Sequence, residues 1–306
     1  MSAPSSIQAE SQRACATELA ALDRSYRREV MAQLCFDRIA QKQEFLIDKF
    51  HPTDDWNETA YLMLLRSLDI KENRNSYERL AKVLPYRYFA KVGYECHSIE
   101  ALLLGSAGLL SRLSEVFAGN EAVAELQAIY DYDAHKFGLE QMTMSDWQLT
   151  GHIGDNHPII RLLQLASALS QHEHLMNDIL ACRTKSDVEK LFCNSSVPKW
   201  AYRFLAEGNR NGAITRTKAQ MLGINVVAQL QIFYSEYTMR SDLDSRGIEL
   251  LEQLPAESNL FINRWLKLGV KPDNALESQA LLQLTKEYCS HLRCDRCPFR
   301  RYIDSE

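Results

Sequence analysis

Glycine and proline are scarce in this chain, with 12 and 8 residues among 306. Hairpin-rich folds use glycine at left-handed turn positions, so the scarcity argues for helices over strands. The opening MSAPSSIQAESQRACATELA has no basic stretch followed by an apolar core, so no secretory leader is expected. No run approaches the ~18 uninterrupted apolar residues of a membrane span, and no membrane partner is expected. Charge of one sign is lacking too. A formal net charge of -5 creates no global attraction for nucleic acid or anionic lipid, which leaves only local patches. There is no glycine-rich phosphate loop, no G-x-S-x-G elbow, no H-E-x-x-H and no dinucleotide fingerprint. Eight cysteines without a leader are expected as thiols of a cytoplasmic protein, with or without a metal, rather than as a disulfide framework.

What is present is an ordinary globular composition, 46% hydrophobic and 25% charged, with helical periodicity. Leu19, Leu22, Tyr26, Val30, Leu34 and Ile39 recur at spacings of three to five, which predicts one or two helices over 11–49. Asp54 or Asp55 can cap a helix from Trp56 to Leu68. Ser76 to Leu84 reads as a short helix. SIEALLLGSAGLL reads as a buried one, with Gly105 and Gly108 permitting close approach of another backbone. Val123, Leu126, Ile129 and Tyr130 mark the apolar side of a helix over 119–138. Pro158 opens IIRLLQLASALSQ, Thr184 or Ser186 opens the next helix, and Asn274 with Glu277 reads as a capping box. INVVAQLQIF has the β-branched content of a strand, but a lone strand would have no partner, so helix is expected. The fold class is therefore all-α, an irregular multi-helix bundle. Its expected organisation is a flexible tail over 1–10, a helical lobe over 11–141, an irregular connection over 142–157, and a second lobe over 158–306.

Two segments carry chemistry. In the first, Asn156 and His157 precede a helix on which Arg161 and Gln164 share a face. A helix N-terminus with an arginine one turn in can hold a carboxylate or phosphate, and His152 and His157 are nearby donors or bases. The same residues equally suit a cap at Asn156 and buried hydrogen bonds from Arg161 and Gln164. In the second, YCSHLRCDRCPF places Cys289, Cys294 and Cys297 in a C-x4-C-x2-C pattern. Three thiolates can begin a zinc site or an iron–sulfur cluster, with His291, Cys193 or Cys182 as the missing ligand. Redox thiols and reduced structural cysteines are the other readings. A lesser feature is the basic run Arg79, Lys82, Arg87, Lys91, interleaved with Tyr86, Tyr88 and Phe89. Charge plus stacking rings is what single-stranded nucleic acid binding uses, and an ordinary half-exposed helix has the same composition.

Five phrases carry a resemblance: RLAKVLPYRYFAK (79–91), IEALLLGSAGLL (99–110), NHPIIRLLQLASAL (156–169), LGINVVAQL (222–230), and the stretch over 266–299 that ends in the cysteines. In order and spacing they resemble a bacterial family designated domain of unknown function 2851. The family's Arg-Pro-x-Asn-x-Pro pattern, followed by Arg and Gln, falls on Asn156, Pro158, Arg161 and Gln164, with Ile153-Gly154 in place of the leading Arg-Pro. The resemblance implies that Cys289, Cys294 and Cys297 are a family feature. It also implies that this chain is only the helical C-terminal part of a longer protein whose β-rich region would host any catalysis. The leading functional expectation is a non-catalytic helical module that binds nucleic acid or another protein. The alternatives are a hydrolase acting on a phosphate ester or nucleic acid around residues 152–164, and a purely structural scaffold.

Overall fold

The computed structural model describes residues 15–19, 21–51, 55–68, 72–150, 154–205, 211–243 and 245–299. The expected tail over 1–10 lies outside them. Every regular element among the described residues is helical, so the protein is an all-α, irregular multi-helix bundle. In chain order the α-helices are α1 (Arg24–Lys49), α2 (Trp56–Leu68), α3 (Arg74–Val83), α4 (Arg87–Lys91), α5 (Cys96–Ser106), α6 (Leu110–Val116), α7 (Glu121–Phe137), α8 (Pro158–Leu169), α9 (Leu175–Ala181), α10 (Lys185–Cys193), α11 (Arg216–Leu222), α12 (Ala228–Thr238), α13 (Arg246–Gln253), α14 (Leu260–Lys267) and α15 (Ala275–Gln283).

The chain divides into two compact units. A middle unit runs from Phe50 to Leu230, and a terminal unit joins the residues up to Lys49 with those from Gln231 onward. The segment 142–157, expected as a connection between lobes, lies within the middle unit. Its backbone is tied there by specific bonds. Met142 N–H donates to the Ser106 carbonyl at 2.8 Å. The Trp147 indole donates to the Ala107 carbonyl at 2.8 Å. Asn73 pairs with Gln148 in both directions, at 2.7 and 3.0 Å.

The core of the middle unit is built on α5 and α8, which pack against each other, with α7 also on α5. All twelve positions of α8 are buried, as are Ile99 through Ser106 of α5. A helix buried all round has no solvent face to offer and is stable only when surrounded. Local signals fix the ends. Asp55 accepts from Asn57 N–H at 2.9 Å, Thr184 forms a reciprocal capping box with Asp187, and Gly138 closes α7 in a left-handed turn. Lys218 donates to the last carbonyls of α2, Ser67 at 2.8 Å and Leu68 at 2.7 Å, where a cation suits the helix dipole. The strand-like INVVAQLQIF is helical, with a π turn over Gly223–Val227 leading into α12.

In the terminal unit the long α1 packs on α15, and α13 and α14 also contact α15. Of the one or two helices expected over 11–49, two are allowed by the break at Leu22 and Asp23, where the Asp23 carboxylate accepts from Ser25 N–H at 2.9 Å. Asn274 caps α15 by accepting from Glu277 N–H at 3.0 Å. The Trp265 indole donates to Thr285 Oγ1 at 2.8 Å, which satisfies its one polar atom in the core.

Of the two glycines expected to allow close approach, Gly105 lies under the Tyr130 ring. Gly108 lies beyond the helix end, at φ +72°, where an added Cβ would stand 2.1 Å from the Met142 carbonyl oxygen. Gly119 has φ +81° with nothing within 4 Å. Gly119→Ala should therefore cost only the left-handed penalty of about 1–2 kcal/mol. Gly108→Ala adds overpacking against backbone and should cost about 3 kcal/mol or more. Urea denaturation of both variants checks this, and equal losses would contradict the close approach at Gly108.

Candidate functional site

The segment before α8 is arranged around a buried cation. Arg161 is 5% exposed. Its Nη1 donates to Gln164 Oε1 at 2.8 Å and its Nη2 to Asn156 Oδ1 at 2.6 Å. Gln164, fully buried, turns its Nε2 to the Gly212 carbonyl at 2.8 Å. Gly212 sits at φ +65°, and a Cβ there would meet Val197 at 2.3 Å, so this close approach suits glycine alone. Asn156, Arg161 and Gln164 are thus brought together as expected. The arrangement ties α8 to the chain at Gly212 and directs the guanidinium fork to amide oxygens of the protein.

His157 stands apart from that network. The cap expected at Asn156 belongs to His157, whose Nδ1 accepts from Ile159 N–H at 3.3 Å. Asn156 is drawn away because its oxygen serves Arg161. The His157 ring stacks on Phe204 with centroids 5.0 Å apart. Together with Arg112, Thr150 and Ile159, these rings line a small cleft of about 260 Å³. His152 lies outside the described residues.

Cys289 and Cys294 open two successive 3-10 turns, Cys289–His291 and Cys294–Arg296, joined through Leu292 at φ +52°, and Cys297 follows the second. Cys297 is buried, and Cys289 and Cys294 are half-buried. Among the described residues no group of three or more His, Cys, Asp or Glu side chains is placed to hold a metal ion. The three thiols are therefore not gathered as zinc or an iron–sulfur cluster would require. The other cysteines include buried thiols of little reactivity. Desolvation pushes Cys35 and Cys182 up to about 12.

The basic run over 79–91 divides between core and surface. Tyr86 and Phe89 are buried, while Arg79 pairs with Asp146 at 2.6 Å. Tyr88 and Lys91 reach the surface and meet residues from the end of α7. The Lys91 ammonium lies 4.5 Å from the Tyr88 ring centroid and 5.1 Å from that of Phe137. Lys136 lies 5.1 Å from the Phe137 centroid and 5.5 Å from Tyr132. Sequence reasoning missed Tyr132, Lys136 and Phe137. Their signal was an aromatic and a lysine four apart on the polar side of α7, legible only once its buried side is known.

The fold and these sites define an all-helical protein without a recognisable catalytic constellation among the described residues. Over residues 3–260 the chain matches the family described as "Protein of unknown function (DUF2851)", and it belongs to that family. The match begins near the first residue and takes in most of the chain. This corrects the expectation that only the family's helical C-terminal part is represented here. The match also ends before Cys289, Cys294 and Cys297, so the stretch over 266–299 lies outside it. No curated protein and no solved structure matches the chain. No helix among the described residues is long and apolar enough to cross a membrane.

The network around Arg161 makes a stability prediction. Asn156→Ala removes one acceptor from a buried cation and should cost about 1–3 kcal/mol; Gln164→Leu removes an acceptor and also the bond to Gly212, and should cost about 2–4 kcal/mol. Chemical denaturation reads both, and losses under about 0.5 kcal/mol would show that the network does not hold α8.

Proposed function

We propose that this protein is a non-catalytic helical module that binds single-stranded nucleic acid through the surface at the C-terminal ends of α4 and α7. The observation that carries this reading is the convergence of Tyr88, Lys91, Tyr132, Lys136 and Phe137 from two helices onto one patch. Tyr88 and Phe137 lie 5.6 Å apart at 41°. Arg87 extends the positive edge, its guanidinium 5.3 Å from the Tyr88 centroid. Tyr132 is 67% exposed, unusual for a ring with no partner to bury it. Exposed rings give bases a face to stack on, and the lysines meet the phosphates that follow. Arg87 is 3.8 Å from Glu58, whereas neither Lys91 nor Lys136 has an ion pair among the described residues. With a net charge of -5, attraction must come from this local patch, so binding should fall steeply with salt.

The test is fluorescence anisotropy of a labelled oligothymidylate at low salt. The wild-type chain should bind, with log K falling against log salt by about 0.7 per phosphate contact. The double variant Lys91→Glu/Lys136→Glu should lose at least about tenfold in affinity. Tyr132→Ala should lose about 1–3 kcal/mol if a base stacks there. Absence of binding at low salt, or binding indifferent to all three substitutions, would overturn the reading. Equal competition by an acidic peptide would assign the patch to a protein partner instead.

A further inference from the structure

A second cleft lies in the terminal unit and takes no part in the nucleic-acid reading. Its volume is about 580 Å³, more than twice that of the cleft beside His157. Clefts of this size bury small ligands. It forms where the first turns of α1 and α15 lie together. Three arginines, Arg24, Arg27 and Arg28, and three carboxylates, Glu252, Asp273 and Glu277, line it. A simple anion would meet the carboxylates there, and a simple cation the guanidiniums.

Two of the arginines and two of the carboxylates are spent on one another within the wall. Arg27 Nη2 donates to Glu277 Oε2 at 3.4 Å and to the Lys271 carbonyl at 3.2 Å. Glu277 Oε2 also accepts from Asp273 N–H at 3.0 Å. Arg28 Nη2 donates to Glu252 Oε1 at 3.0 Å. The Arg24 guanidinium and the Asp273 carboxylate are left over, and neither has a hydrogen bond or ion pair among the described residues. Asp23, next to Arg24 in the chain, spends its carboxylate on the first turn of α1. The cleft therefore presents one uncommitted charge of each sign. Other polar groups share the wall. Ser25 brings a hydroxyl. Asn274 caps α15 with its oxygen, accepting from Glu277 N–H at 3.0 Å, and its Nδ2 has no partner among the described residues. Met31 and Leu276 add apolar surface.

We propose that this cleft binds a short peptide by its two ends, the terminal carboxylate on Arg24 and the terminal ammonium on Asp273. A guanidinium matches a carboxylate with two parallel bonds, and a carboxylate accepts charge-assisted bonds from an ammonium. Capture of chain ends is an established mode of peptide recognition. Ser25 and Asn274 serve the peptide groups, and Met31 and Leu276 receive an apolar side chain. Such a ligand brings one charge of each sign and leaves the cleft as balanced as it finds it. A ligand with a single charge leaves Arg24 or Asp273 unmatched.

The experiment is calorimetric titration of the full chain with the dipeptide leucyl-leucine at low ionic strength, where exposed charges are least screened. The wild-type chain should bind it. N-acetyl-leucyl-leucine lacks the ammonium, leucyl-leucine amide lacks the carboxylate, and each should bind about threefold more weakly or worse. Arg24→Gln and Asp273→Asn should each weaken leucyl-leucine by about threefold or more. Matched losses should not add: Asp273→Asn should bind the acetylated peptide as wild type does, and Arg24→Gln should bind the amide as wild type does. A general disturbance of the cleft would add to both. Neither side chain gives up a bond among the described residues, so thermal unfolding midpoints should stay unchanged, and the capped peptides test the same charges on the unaltered chain. No binding of leucyl-leucine by wild type, equal affinity for the dipeptide and its capped forms, or losses that add in full would overturn the proposal.

Discussion

A guanidinium cannot shed its charge, so a helix that carries one inside must bring acceptors with it. Arg161 lies on a helix buried at every position, and the middle unit around it answers to that constraint. Asn156 turns its oxygen inward, so the cap of α8 passes to His157. Gln164 takes the other edge of the guanidinium and then needs an acceptor of its own, which the chain supplies at Gly212. Only a residue without a Cβ permits that approach beside Val197. A single buried charge thus fixes a cap, a helix register and a loop conformation far away in sequence. Truncating any member leaves a desolvated donor behind, which costs more than the bond itself contributes.

Much of the fold was legible in the sequence because it rests on local rules. The few glycines and prolines pointed to helices. Pro158 marked a helix start through its fixed φ, and Thr184 and Asn274 did so through side chains that accept from amides three residues on. The period of Val123, Leu126 and Tyr130 gave the buried side of α7. The division into units was not legible, because it joins α1 to α15 across the whole length of the chain, and local pattern carries no information about such a pairing.

The candidate sites divide along the same line. Residues 156–164 looked like an anion site because arginine near a helix start suits either a ligand or a core. Burial separates the two, and burial is tertiary. The cysteines looked like a ligand set because their spacing is compact, but among the described residues no three ligand side chains are gathered to hold a metal ion. The basic run over 79–91 divides between core and surface. Helix periodicity sends Tyr86 and Phe89 to the core and leaves Tyr88 and Lys91 outside, where the end of α7 completes the patch. In a chain of net negative charge, such a patch is a place rather than a property of the whole surface.

On the proposed reading, single-stranded nucleic acid lies on the patch at the ends of α4 and α7. Photocrosslinking a uniformly substituted single-stranded oligonucleotide to the full chain, followed by peptide mapping, tests it most directly. Crosslinks should concentrate on the peptides bearing Tyr88, Tyr132 and Phe137. Crosslinks centred instead on His157 and Phe204, or scattered without preference, would contradict it.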